Sequence, residues 1–134
     1  VLKIAQKPGL RWGTLALADE DVLPDQKLFV LQHPLGEAKQ ISEVGCAVFE
    51  PVSPGRSGPS DFAHLCDTLG GSSGSPVFNA AGEVAGLHHW GKTLMGRYSG
   101  SNRAVRVGLI SEFLAEHVGN AGDQAYEGQQ AVDQ

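Results

Sequence analysis

The stretch Asp67-Thr-Leu-Gly-Gly-Ser-Ser-Gly-Ser-Pro-Val-Phe78 carries more information than any other part of this sequence. Its glycines predict an irregular loop from Gly70 to Gly74, because residues without a Cβ adopt backbone conformations closed to other residues. Consecutive amide groups of such a loop can converge on one point and bind negative charge. A serine hydroxyl is a poor nucleophile that needs such donors, together with a base. The stretch therefore predicts an irregular loop whose amides meet the need for donors, followed by a short β-strand.

Short β-rich segments surround this loop on both sides. The segments predicted as strands are 27–33, 39–50 (with a bulge at Gly45), 61–66, 75–79, 83–90 and 103–107. The stretch 51–60 contains three prolines and two glycines and is predicted as a loop. Helical patterns are absent between these strands, which argues against an α/β fold. Six or seven short strands predict an all-β fold, a small antiparallel β-barrel.

One helix is predicted after the last strand. Ser111 is suited to cap it, Phe113, Leu114 and Val118 form its apolar side, and Gly119 would end it. We expect a single domain over residues 1–118 and a disordered tail or linker over 119–134, which has almost no apolar residues. The chain begins inside an apparent strand, Val1 to Ala5, so we interpret Val1 as an internal boundary of a longer protein.

Composition argues against several classes of partner and cofactor. The formal net charge of −5 argues against nucleic acid and anionic membranes, which bind clustered basic residues. No apolar run approaches the roughly 20 residues that span a bilayer. A signal peptide is not visible, and no cofactor motif is present. His88 and His89 are adjacent and point to opposite faces of a strand, so they do not form a metal site.

The segment Gly71-Ser-Ser-Gly-Ser-Pro76 resembles the Gly-X-Ser-Gly-(Gly/Ser)-Pro signature of the chymotrypsin/trypsin-like serine peptidases. Its Gly-Ser-Pro ending is similar to the bacterial glutamyl endopeptidase branch. Further similarity covers Phe29 to Gly36, Glu83 to Gly91 and Asn102 to Val107, and with the terminal helix it extends over about residues 1–118. The resemblance implies the second barrel of a two-barrel serine endopeptidase, with Ser73 as nucleophile and the amides of Gly71 and Ser73 as oxyanion hole.

Two parts of the family's catalytic machinery are missing from this chain. The catalytic histidine and aspartate of the family lie in the first barrel, upstream of Val1, and none of the five histidines here matches that position. The resemblance therefore implies an endopeptidase half that is inactive alone and needs the missing N-terminal barrel as its partner. The alternative is a non-catalytic module that keeps the peptide groove. Ser72 stands where trypsin has aspartate, which argues against activation through an internal salt bridge.

The sequence allows three interpretations of the specificity pocket. Asp67, six residues before Ser73, resembles the aspartate on the pocket floor of trypsin, where a buried carboxylate would pair with Lys or Arg. Thr68 and His88 resemble the glutamate-reading pair of the glutamyl endopeptidases. Cleavage after Glu would then weaken near pH ~6.5 and above, as His88 loses its proton. A third interpretation makes Asp67 a structural residue of the loop.

The remaining candidates lie on the strand after the loop and around the hairpin. His89 and Trp90 would line the cleft, whose strand pairs with an extended peptide substrate in this family. Equal counting from Arg56 places Cys46 opposite Cys66, about 4.5–5.5 Å apart between Cβ atoms, which favours a disulfide over two free thiols. A disulfide in turn favours a secreted or periplasmic protein.

Overall fold

The structure is a computed structural model that describes residues 4–92 and 100–118. The strands are β1 (Leu28–Gln32), β2 (Gln40–Ser42), β3 (Val48–Gly55), β4 (Gly58–His64), β5 (Pro76–Asn79), β6 (Val84–Trp90) and β7 (Asn102–Arg106). The helices are α1 (Pro8–Trp12) and α2 (Val107–His117), and a 3-10 turn spans Pro34–Gly36. None of the helices within the described ranges is long and apolar enough to cross a membrane.

All seven strands form one antiparallel sheet in the order β2-β1-β5-β6-β7-β4-β3. The sheet curls until the chain just before β1 meets the start of β3. The amide of Leu28 donates to the carbonyl of Cys46 at 3.0 Å, and the amide of Val48 donates to the carbonyl of Gln26 at 2.9 Å. The all-β prediction is confirmed, but no continuous strand ladder closes the barrel between the described strands.

The core fills the inside of the curled sheet. Every second residue of a strand points inward, because side chains alternate between the two faces of a β-sheet. The buried cluster consists of Val22, Leu28, Val30, Cys46, Val48, Phe62, Cys66, Val77, Ala85 and Ala104. Gly86 of β6 is required by this packing, since a Cβ there would lie 2.5 Å from the Phe62 ring.

The predicted loop over 51–60 is wrong, because most of it is strand. β3 runs through Pro51 and Pro54 to Gly55, and β4 begins at Gly58, so the turn is only two residues long. Proline is tolerated here because β3 is an edge strand with an unpaired side, and its ladder with β4 contains several register shifts. The predicted strand 39–50 is likewise two strands, separated by a turn in which Gly45 has a φ of 67°.

The predicted start of the terminal helix at Ser111 is also wrong. Helix α2 begins at Val107, and its cap comes from a residue far away in sequence. The carboxylate of Asp21 accepts the amide of Gly108 at 3.0 Å and pairs with Arg106 at 2.8 Å. Residues 4 and 5 are not in a strand, contrary to expectation, and the predicted tail at 119–134 lies outside the described residues.

Candidate active site

The loop between β4 and β5 is a turn held from two sides. On one side, the amide of Leu35 donates to the carbonyl of Gly70 at 2.7 Å. On the other side, the amide of Gly74 donates to the carbonyl of His88 at 2.7 Å, and the amide of His88 donates to Ser75 at 3.0 Å. The backbone around Ser73 is therefore attached directly to the 3-10 turn and to β6.

Glycine is required at Gly71 for two reasons. Its φ of 95° disfavours any residue with a side chain. A Cβ at this position would also lie 3.3 Å from the carbonyl oxygen of His33 and from the amide of Leu35. The glycine-rich pattern thus allows the loop to pack closely against the 3-10 turn.

The two adjacent serines of the loop have opposite environments. Ser72 is fully buried, and its hydroxyl accepts the amide of Leu69 at 3.3 Å, so it closes the turn from inside. Ser73 is exposed. The amides of Gly71 and Ser73 donate to no other group in the described part of the chain. Ser73 is thus an exposed serine that lies next to two amides without partners in the described residues.

The segment before the loop is anchored at Cys66. The structure joins Cys66 to Cys46 through a disulfide, with their Cα atoms 4.0 Å apart. The carbonyl of Cys66 also accepts the side-chain amide of Asn102 at 2.5 Å, and that of Asp67 accepts the side-chain amide of Gln32 at 2.9 Å. These bonds determine where the chain enters the nucleophile loop.

The two pocket candidates on this segment differ in exposure. Asp67 is exposed, whereas the trypsin-like interpretation requires a buried carboxylate, and it lies on a cavity of about 280 Å³ lined by Gln32 and residues 40–44. Thr68 is half-buried, and its hydroxyl is fully buried without a hydrogen-bond partner in the described chain. An unpaired buried hydroxyl is unusual in folded proteins.

His88 lies inside the sheet and pairs with a histidine that sequence reasoning did not single out. Nδ1 of His88 is 3.1 Å from Nε2 of His64 on β4. Burial lowers the pKa of His88 to about 4, with the charge of His89 as a smaller cause. Burial likewise lowers the pKa of His64 to about 3, with His88 and Arg103 as smaller causes. The expected proton loss of His88 near pH ~6.5 is therefore wrong, because His88 is already neutral there.

The next residue of β6, His89, faces the other way and contacts Asp61 of β4. Nε2 of His89 lies 2.7 Å from a carboxylate oxygen of Asp61, which is 1% exposed and whose other oxygen accepts the hydroxyl of Ser60 at 2.9 Å. Asp61 gave no sequence signal as a site residue, since it belongs to an otherwise unremarkable strand. Trp90, the other cleft candidate, is 42% exposed.

The other two histidines have local partners. Nδ1 of His33 is 3.0 Å from the carbonyl of Glu37, and the His117 ring stacks on Phe113 within helix α2. In residues 4–92 and 100–118, no group of three or more His, Cys, Asp or Glu side chains is arranged to hold a metal ion.

Three comparisons relate this geometry to known proteins. The family model of the trypsin-like peptidase domain matches residues 1–87. The secreted RxLR effector protein 73 of Plasmopara viticola is 35% identical over 85 residues, which cover 60% of this chain and 21% of that protein.

Solved structures share the fold. An inactive form of the Rv3671c protease of M. tuberculosis matches with a TM-score of 0.64 and 20% identity, over 81% of this chain and 56% of that one. The active form of that protease matches with a TM-score of 0.58 and 17% identity, over 75% and 46%. The chain thus spans about half of that protease and about a fifth of the effector protein.

Proposed function

Since the chain belongs to the family of trypsin-like peptidase domains, we propose that it is the nucleophile-bearing half of a serine endopeptidase. The observation that carries this proposal is the contrast within one loop. Ser73 is exposed, whereas Ser72 is buried and closes the turn. The amides of Gly71 and Ser73 are unused within the described chain and are available to an oxyanion.

The proposed reaction is peptide-bond hydrolysis through an acyl-enzyme. The hydroxyl of Ser73 attacks the peptide carbonyl, and the oxyanion that forms accepts hydrogen bonds from the amides of Gly71 and Ser73. A histidine takes the serine proton and returns it to the leaving amine, while an aspartate orients that histidine. We assign both to a part of the protein outside these 134 residues, because each histidine within the described residues already has another partner.

The test is covalent labelling and turnover in the full-length protein. A fluorophosphonate should label Ser73, and Ser73→Ala should lower kcat/KM for a protein substrate by about 10⁴-fold or more. Ser75→Ala, at the neighbouring serine, serves as the control and should keep most of the activity. Residues 1–134 alone should show no Ser73-dependent turnover. A full-length protein that binds peptides but is never labelled would instead support the alternative, a non-catalytic peptide-binding module.

For the residue before the cut, we propose a side chain that accepts hydrogen bonds, with glutamate as the best case. The neutral imidazole of His88 can donate a hydrogen bond, and the buried Thr68 hydroxyl has no partner among the described residues. The alternative preference for Lys or Arg needs a buried carboxylate, whereas Asp67 is exposed.

A panel of peptides that differ only at the residue before the cut tests this preference. Glu and Gln peptides should be cleaved faster than Lys and Arg peptides, and Asp67→Ser should change each rate by less than about threefold, as for other exposed side chains. Asp19→Ser, at another exposed carboxylate, is the matched control. A strong Lys or Arg preference that Asp67→Ser abolishes would reverse the assignment.

A further inference from the structure

Leu35 is held in an unfavourable backbone conformation although it is not buried. Within the 3-10 turn its φ is 55° and its ψ is 22°, and the residue is 70% exposed. This left-handed conformation is unfavourable for a residue with a Cβ, and glycine or asparagine adopts it at a lower cost. Neither the backbone nor burial among the described residues therefore accounts for a leucine at this position.

The other residues with this backbone conformation are polar. Within residues 4–92 and 100–118, the non-glycine residues with positive φ are Leu35, Gln6, Lys7 and Asp25. The three polar residues are exposed and their side chains are solvated, whereas an exposed leucine leaves apolar surface in water. Strained backbone conformations cluster at active sites and ligand-binding segments. Leu35 is therefore a candidate contact for a molecule outside these residues.

The Leu35 side chain borders the loop that contains Ser73. The amide of Leu35 donates to the carbonyl of Gly70 at 2.7 Å, and its Cδ2 is 3.9 Å from the position that a Cβ of Gly70 would occupy. The next residue is Gly71, whose amide would bind the oxyanion. Leu35 thus lies against the residue that precedes this amide.

A second exposed leucine adjoins Gly70 in sequence. Leu69 is 59% exposed, although its backbone is held by two hydrogen bonds. Its amide donates to the hydroxyl of Ser72 at 3.3 Å, and its carbonyl accepts the amide of Ser72 at 3.1 Å. Leu35 and Leu69, together called the leucine rim, are therefore two exposed apolar residues that the backbone fixes beside Gly70.

The leucine rim and β6 adjoin opposite ends of the loop. β6 bonds to the two residues after Ser73, whereas the 3-10 turn bonds to Gly70, which precedes Ser73. In the proposed function, β6 belongs to the part of the site that receives the residue before the cut. A peptide that crosses the oxyanion amides from β6 therefore reaches the leucine rim with the residues after the cut.

We propose that the leucine rim is a subsite that selects a large apolar residue, such as Leu, Met or Phe, directly after the bond that is cleaved. Contact with this residue removes apolar surface of both partners from water, which is favourable in proportion to the area buried. A polar residue of similar size gains no such contact. This inference rests on the proposed function of Ser73 and deepens it.

Transfer of the acyl group to added amines measures this subsite by itself. The full-length protein is acylated with a peptide ester that ends in the residue selected by the peptide panel, and amino-acid amides then compete with water. The amino group of the amide attacks the ester carbonyl of acylated Ser73 and forms a peptide bond, while the Ser73 oxygen leaves and takes up the proton that the amine loses. Leucinamide should be transferred about tenfold more efficiently than serinamide, because its side chain occupies the position after the cut.

Asparagine substitutions remove the apolar surface, and asparagine tolerates the backbone conformation of Leu35. Leu35→Asn should reduce the ratio of leucinamide to serinamide transfer by about fivefold, and Leu69→Asn should reduce it by about threefold. Leu35→Met, which keeps an apolar side chain, should retain the ratio within about twofold. Leu23→Asn is the matched control, at a leucine that is 66% exposed in the segment before β1, and should leave the ratio unchanged.

The outcomes separate this inference from the proposed function. Both amides compete for the same acyl-enzyme, so the ratio does not depend on the fraction of enzyme that is folded. Equal transfer of the two amides, or a ratio that Leu35→Asn and Leu69→Asn leave unchanged, would overturn the subsite while leaving Ser73 as the nucleophile. Loss of stability in these variants at an unchanged ratio would overturn it in favour of a contact with the upstream half. A full-length protein that forms no acyl-enzyme at Ser73 would overturn the proposed function and the subsite together.

Discussion

His88 and His89 are neighbours on β6, yet they differ in burial and in the kind of group that each contacts. His88 is buried against another histidine, and its pKa is lowered to about 4. His89 is partly exposed and binds the buried carboxylate of Asp61 at 2.7 Å. The inner pair, His64 and His88, is therefore uncharged at neutral pH. The outer pair, His89 and Asp61, places an imidazole against a buried carboxylate. The comparison shows that the face of a strand, more than the residue type, decides what a histidine does.

Both pairs depend on β4, and among the substitutions the largest effect should come from releasing its end. Cys46→Ala combined with Cys66→Ala removes a crosslink over a sequence separation of 20 residues and should destabilise the protein by about 3 kcal/mol. Denaturant unfolding of the oxidised wild type and the double variant measures this loss. Mass spectrometry without reductant provides the control. Two free thiols in oxidatively expressed protein would contradict the prediction.

The contact between His89 and Asp61, the outer pair, is removed by a substitution of His89 alone. His89→Ala leaves the carboxylate of Asp61 buried without its imidazole partner, and should lower the free energy of unfolding by about 2 kcal/mol. His33→Ala is the matched control, because that histidine is exposed and should cost less than about 0.5 kcal/mol. Equal losses in the two variants would mean that the Asp61 contact does not contribute.

The inner pair can be tested through the pH dependence of the protein's stability. The pKa values of His64 and His88 in the folded state, about 3 and about 4, lie below the unfolded value of 6.5. Between pH 6.5 and 4 the unfolded chain therefore binds more protons, and stability falls as the pH falls. Each histidine contributes up to about 1.4 kcal/mol per pH unit to this slope.

Denaturant unfolding over this pH range should show a smaller slope for His64→Gln than for the wild type. Phe62→Leu should lower stability at every pH without changing the slope. A wild-type stability that does not vary between pH 6.5 and 4 would show that the two rings are accessible to protons in the folded state.

The smallest effect should arise outside both pairs, at Leu35. This residue has a φ of 55° and an exposed side chain. The left-handed conformation costs a residue with a Cβ about 1–2 kcal/mol, which is partly offset by the extra unfolded-state entropy of glycine. Leu35→Gly should therefore raise the free energy of unfolding by about 0.5 kcal/mol. Leu23→Gly, at an exposed leucine without positive φ, should lower it instead.

Local patterns predicted the parts of this protein that depend on neighbours in sequence. The glycines around Ser73 indicated a tight loop, and β-rich composition indicated strands such as β1 and β6. The same patterns failed where a distant residue intervened. The prolines of β3 are tolerated because that strand lies at the edge of the sheet, and α2 begins at Val107 because Asp21 caps it. Neither cause can be read within a window of a few residues.

The sequence by itself therefore determined the family, the all-β class and the loop that contains Ser73, because backbone freedom and strand propensity are local properties. Only the tertiary structure decided which groups face one another. Asp61 and His64 are three residues apart on β4, so they point to opposite faces and reach His89 and His88 respectively. Burial then determines their chemistry, because removing a group from water penalises its charged form unless an opposite charge is close.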